Sequence, residues 1–162
     1  MNSESNSSGN QSVQYNQFGG TDVYYLADLP VPSPGTGEVV VRVKAAGINP
    51  GETKIRSGAL QAIFPSTFPS GQGSDFAGIV EAVGQGVDRV RPGDEVIGFS
   101  DKRNSQAQYV VVDQTHLTPR PAGVSWEQAG GLFVAGSTAY AGVKALALKP
   151  GDLLIVAGAA GG

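Results

Sequence analysis

The sequence predicts a mainly β fold, a barrel or sandwich of short strands, running on into the opening helix and strand of a doubly wound α/β domain. Three observations predict it. The 162 residues include 24 glycines and 10 prolines, roughly one residue in five against about one in eight in ordinary proteins. These punctuate the chain about every ten residues, the spacing of an all-β fold. Hydrophobic residues make up 40% of the chain in recurrent Val/Ile/Leu runs, so the punctuation separates strands and does not mark low complexity. After Ser125 the pattern changes to a helical stretch, then a wholly apolar run ending in glycines, which is how a doubly wound domain begins.

Taken in order, Met1–Ser12 is Ser/Asn/Gln-rich and reads as a disordered tail. Val13–Phe18 and Val23–Leu29 read as two strands around Gly19-Gly20, and Pro30–Gly37, with three prolines and two glycines, as a loop. Glu38–Ala46 alternates, with Val39, Val41 and Val43 on one face and Val40, Arg42 and Lys44 on the other. That is a half-buried strand. Asn49-Pro50 breaks it and Gly51–Ser57 makes one or two helical turns. A loop, Phe64–Gly73, leads to a strand over Phe76–Val83. Gly84–Gly86 and Arg91-Pro92-Gly93-Asp94 are turns, the latter of type II because Pro fixes φ and Gly accepts a positive one. Glu95–Phe99 and Gln108–Asp113 are strands, and Leu117–Pro121 leaves the sheet. Ser125-Trp-Glu-Gln128 is a capping box. It opens a helix interrupted at Gly130-Gly131 and resumed over Ser137–Leu148, before a buried strand at Leu153–Ala157.

Composition excludes several classes. The net charge is -3 and 15% of residues are charged. No basic cluster exceeds Lys102-Arg103, against a nucleic-acid-binding module. There is no cysteine, hence no disulfide framework, thiolate nucleophile or cysteine-ligated zinc. The single histidine, His116, assembles no catalytic constellation. No apolar run approaches the roughly 20 residues that span a bilayer. The N-terminus lacks a secretory signal's basic and apolar regions. A cytoplasmic protein is expected.

The order of four motifs is similar to the medium-chain dehydrogenase/reductase superfamily, in its zinc-independent quinone oxidoreductase-like branch. They are Ala45-Ala-Gly-Ile-Asn-Pro50, Gly73-Ser-Asp-Phe-Ala-Gly78 with Gly84 and Val87 downstream, Pro92-Gly-Asp-Glu-Val96, and the stretch from Gly136-Ser-Thr-Ala-Tyr140 to Gly158-Ala-Ala-Gly-Gly162. The resemblance implies a GroES-like, partly open β-barrel catalytic domain with short helices over 13–134. It implies the first helix and strand of a truncated Rossmann domain over 135–162. It further implies NADPH as cofactor, with NADH the alternative, a small-molecule quinone or conjugated enone as hydride acceptor, and a homodimer at full length. This chain is then an N-terminal part, inactive alone.

Departures from the pattern sharpen it. Zinc-dependent relatives carry Cys where this chain has Asn49 and His-Glu where it has Ser74-Asp75, so no metal site is expected. The resemblance places Asn49 at the cleft, where its amide meets the nicotinamide or the substrate oxygen; an Asn before a proline also suits an Asx turn. Arg56 matches the common pattern and joins Asn49 as a catalytic candidate. Glu52, Lys54 and Arg56 are expected on the cleft's polar edge, Lys54 more simply on a solvated helix face. Thr138 is expected at the start of the joining helix, against the nicotinamide ribose or as an ordinary helix cap. Gly158, Ala159, Ala160, Gly161 and Gly162 would form the turn that meets the pyrophosphate. A non-enzymatic barrel that serves as a binding module is the competing reading; the glycine cluster after an apolar strand argues against it.

Overall fold

A computed structural model describes residues 9–158. Two antiparallel sheets form. The first has three strands in the order β2-β1-β4, with β1 at Asn10–Tyr15, β2 at Tyr24–Leu29 and β4 at Ser70–Gly71. The second has five, in the order β7-β3-β5-β6-β8: β3 Glu38–Ala46, β5 Asp75–Val83, β6 Glu95–Phe99, β7 Tyr109–Asp113 and β8 Leu117–Pro119. A bridge between Ser12 and Ala107 joins them. So does the side-chain amide of Asn10, whose Nδ2 donates to the Tyr109 carbonyl (3.1 Å) and whose Oδ1 accepts from the Tyr109 N–H (2.9 Å). The result is a partly open barrel, as expected. Three helices flank it: α1 Pro50–Arg56, α2 Trp126–Gly130 and α3 Phe133–Ala145.

Period-two alternation builds the core. Val39 and Val41 of β3, Phe76 and Val80 of β5, Val96 of β6, Val110 and Val112 of β7, and Leu117 pack together inside. The intervening Ala77 and Ile97 point the other way, under Ala129 of α2. Val40 departs from the expected half-exposed face: it is 1% exposed, with β3 bulged against β5 between Val40 and Val41. The Pro92-Gly93 turn has the expected form, with Gly93 at φ 93° and the Asp94 N–H donating to the Arg91 carbonyl at 3.1 Å.

Several elements differ from the expectation. β1 starts at Asn10, inside the expected tail, because Asn10–Ser12 pair with Leu29–Ala27; residues 1–8 lie outside the described part. The loop over Phe64–Gly73 holds the short strand β4, paired to β1. Leu117–Pro119 stays in the sheet, since β6 still has an open edge on which Leu117 and Thr118 pair. α3 starts at Phe133, four residues before Ser137. Leu153–Ala157 forms no strand: a strand is stabilised by a ladder, and among the described residues nothing pairs with it. Among the described residues no helix is long and apolar enough to cross a membrane.

Candidate active site

The end of β3, the start of β5, α1 and the joint between α2 and α3 converge on one cluster. Asn49 is the N-cap of α1, with Pro50 at its first position, where a missing N–H costs nothing. Glu52 completes the capping box. Its carboxylate is 5% exposed and faces no cation. It accepts from the Asn49 N–H (3.2 Å) and Nδ2 (3.3 Å), from Gln72 Nε2 (3.2 Å) and from the Ser74 N–H (2.9 Å). Four donors on two segments compensate its removal from water. Glu52 is therefore buried, a correction to its expected place on an exposed polar edge; Lys54 is exposed.

Asp75 sits beside this cluster and is 0% exposed. Its Oδ2 accepts from the N–H of Val134 (3.2 Å), in the first turn of α3; its Oδ1 has no partner. Burial pushes the Asp75 carboxyl above the usual carboxylate range, opposed in part by the Val134 N–H and the Asn49 amide and reinforced by the charge of Glu52. The backbones meet here so closely that Gly47 admits no side chain. A Cβ on it would lie 2.9 Å from the Gly130 carbonyl and 3.1 Å from the Asp75 Cβ.

The other expected residues are distributed. Arg56, at the far end of α1 about 10 Å along the helix from Asn49, is buried. Its Nε donates to the Gly19 carbonyl at 3.3 Å, its Nη1 to the Tyr24 hydroxyl, and its guanidinium lies 4.7 Å over the Tyr24 ring. These contacts bolt α1 to the β1–β2 hairpin. Thr138 lies in the second turn of α3, exposed, and is not its cap, which is Leu132. Gly158 is exposed with φ 71°; Ala159, Ala160, Gly161 and Gly162 lie outside the described residues. His116 is half-buried at the end of a short helical turn, its Nε2 3.6 Å from Asp101 Oδ2. Gln72, missed in the sequence, belongs to the cluster; a glutamine between two glycines carries no signal of it.

A cavity of about 350 Å³ opens beside Ser74. Ile55, Ile63, Phe64, Pro65 and Phe99 wall it, with Asp101 and Arg103 at its polar side. Phe99 is held in place by stacking on Phe133, with ring centroids 5.3 Å apart. Among the described residues no three His, Asp or Glu side chains are grouped as metal ligands. Asn49 and Ser74 offer a neutral amide and a hydroxyl, donors that do not suit zinc.

The partly open antiparallel barrel is the GroES-like N-terminal fold of the medium-chain dehydrogenase/reductase superfamily. The chain belongs to the alcohol dehydrogenase GroES-like domain family, whose pattern matches residues 35–143. It is 33% identical over 154 residues to quinone oxidoreductase of Rattus norvegicus, covering 94% of this chain and 46% of that one. Among solved structures, the Coxiella burnetii quinone oxidoreductase superposes with a TM-score of 0.82 at 32% identity, over 89% of this chain and 47% of that one. The Escherichia coli quinone oxidoreductase complexed with NADPH gives 0.76 at 31% identity, over 83% and 40%. The chain spans about half the length of the curated relatives it matches.

Proposed function

We propose that this chain is the catalytic-domain part of a zinc-independent, NADPH-dependent oxidoreductase that passes hydride to a quinone or conjugated enone. The observation that carries the reading is the Asn49–Glu52–Ser74 cluster. A buried carboxylate, engaged by four N–H donors, fixes a neutral amide and a hydroxyl-bearing residue at positions where the resemblance gives zinc-dependent members metal ligands. An acceptor that needs little Lewis-acid help suits such a site.

Reduced nicotinamide, when bound, supplies the hydride. Asn49 and Thr138 are the residues of this chain that would hold it. Asn49 is pinned by Glu52 and so presents its amide without reorganising. Thr138 has its hydroxyl on an exposed helix face. Phe64 and Phe99 give the neighbouring cavity apolar walls, and Arg56 holds α1, and with it Asn49, against the hairpin. Gly158 and the glycines after it would receive the pyrophosphate.

The test is NADPH consumption with 1,4-naphthoquinone by the product of the complete reading frame that contains this chain. Turnover is expected, falling about a hundredfold in Asn49→Ala through misplacement of the reacting ring, while the 162-residue chain alone shows none. Absence of turnover with every quinone and enone tried would overturn the reading in favour of a binding module.

A further inference from the structure

Asp75 is wholly buried at the start of β5, and its Oδ1 has no partner among the described residues. A buried carboxylate with an orphaned oxygen destabilises the barrel that encloses it. Its presence is explained by what its other atoms hold.

Oδ2 holds the start of α3. That helix cannot cap itself, because its N-cap residue is Leu132, which has no side-chain acceptor. A serine there would not serve either: Leu132 lies in the helical region at φ -89° and ψ -32°, whereas a capping residue is extended. The Val134 N–H, one of the first-turn donors that every helix leaves open, goes instead to Asp75, 59 residues away in sequence. A carboxylate here also meets the positive end of the dipole of a 13-residue helix. No residue of α3 is buried, and its other tie to the barrel is Phe133 stacked on Phe99. Ring stacking resists separation but tolerates sliding, whereas a directed hydrogen bond fixes how the helix is turned about its axis. Thr138 follows Val134 by four residues, about 6 Å along the axis and on the same face. The main chain of Asp75 holds the other side of the site. Its carbonyl accepts from the Gly47 N–H at 3.0 Å, two residues before Asn49, and the Asn49 amide steadies its carboxylate. One residue therefore ties the elbow that carries Asn49 to the helical face that carries Thr138.

We propose that Asp75 is a positioning residue: by capping α3 from β5 it sets Thr138 relative to Asn49, so that the two hold one nicotinamide nucleotide together. The inference rests on the function proposed above for the identity of that nucleotide. It gives a role in binding to a residue that, being wholly buried, touches neither cofactor nor acceptor.

The test uses the product of the complete reading frame that contains this chain. NADPH affinity is read from its fluorescence with no acceptor present, and KM for NADPH and for 1,4-naphthoquinone from turnover. Asp75→Ala and Asp75→Val remove the acceptor, the second while filling the space; Asp75→Asn keeps an oxygen for the Val134 N–H. In the first two, NADPH should bind about tenfold more weakly, the weight of one charge-assisted hydrogen bond. KM for NADPH should rise alike, while KM for the quinone stays unchanged. Asp75→Asn should bind NADPH to within about twofold of the parent. Thr138→Ala should weaken NADPH binding in the parent but add little on top of Asp75→Ala, because both act through one contact. Equal loss in Asp75→Asn, additive effects of the two substitutions, an equal rise in KM for the quinone, or failure of both acceptor-free variants to fold would make Asp75 a structural residue and overturn the proposal. Unchanged NADPH affinity in all three variants would also overturn it, while quinone turnover would leave the proposed function standing. The expected pattern of NADPH binding without turnover of any quinone or enone would refute that function and leave Asp75 in its role. No NADPH binding by the parent would refute both.

Discussion

Replacing Glu52 by alanine removes an acceptor shared by Asn49, Gln72 and Ser74. Buried donors left unpaired are penalised by about 1–3 kcal/mol each, so Glu52→Ala should lower unfolding stability by about 3 kcal/mol, read from denaturant melts. A loss within experimental error would show the network to be dispensable. Asp75 gives the opposite case. Its carboxyl is raised in the fold, so the native state holds its proton more tightly than the unfolded chain does. Its contribution is full below the ordinary aspartate range and is lost as pH rises through the raised value. Asp75→Asn keeps an oxygen for the Val134 N–H and removes the buried charge. The variant should therefore melt above the parent at pH 8, with the gap closing towards pH 4; a gap that widens in acid would contradict this. Asn49 was legible as an elbow because Asn-Pro follows a strand, and it became a candidate only through the resemblance. The burial of Glu52 and Arg56 was not legible, because charged side chains sit on surfaces by default and their partners, Gln72, Ser74, Gly19 and Tyr24, are brought to them only by the fold.

At the scale of elements, the capping box at Ser125 was readable from four residues. In the structure Ser125 Oγ accepts from the Gln128 N–H at 3.2 Å, while Gln128 Oε1 accepts from the Ser125 N–H at 3.1 Å. α2 has only five residues, too few to persist without its caps and its packing on β5. Ser125→Ala should destabilise the domain by about 1 kcal/mol, visible as a lowered melting temperature, and an unshifted melt would mean that packing alone holds α2. The bounds of β3 and β6 matched to the residue: alternation and the Asn49-Pro50 break mark β3, and the Pro92-Gly93 turn marks the start of β6. β8 was missed for a physical reason: Leu117–Pro119 is three residues long and carries a proline, tolerated because β8 lies at the edge of its sheet. The apolar run at Leu153–Ala157 failed in the other direction. Its composition states that it can be buried on both faces, but pairing depends on neighbours that a local pattern does not contain.

Across the whole molecule, the barrel and the region after it are held very differently. α3 is tied to the barrel at its first turn, through Phe133 on Phe99 and the Val134 N–H on Asp75. No residue of α3 is buried. Beyond it Leu153 and Ile155 are 87% and 83% exposed, in an uncharged, proline-free stretch of high β-propensity. Such a window, left without a ladder, pairs readily with a second copy of itself. The 162-residue chain should therefore associate with itself as concentration rises. Removing Ala135–Gly162 should raise its solubility, because the cut retains Phe133 and Val134, the contacts that matter to the barrel. The shortened chain should stay β-rich and melt cooperatively, since both buried clusters lie before the cut. Light scattering and thermal melts on the two chains decide the matter. A monomeric full chain beside an insoluble shortened one would mean that the region after Ala135 supports the barrel through contacts other than its first turn.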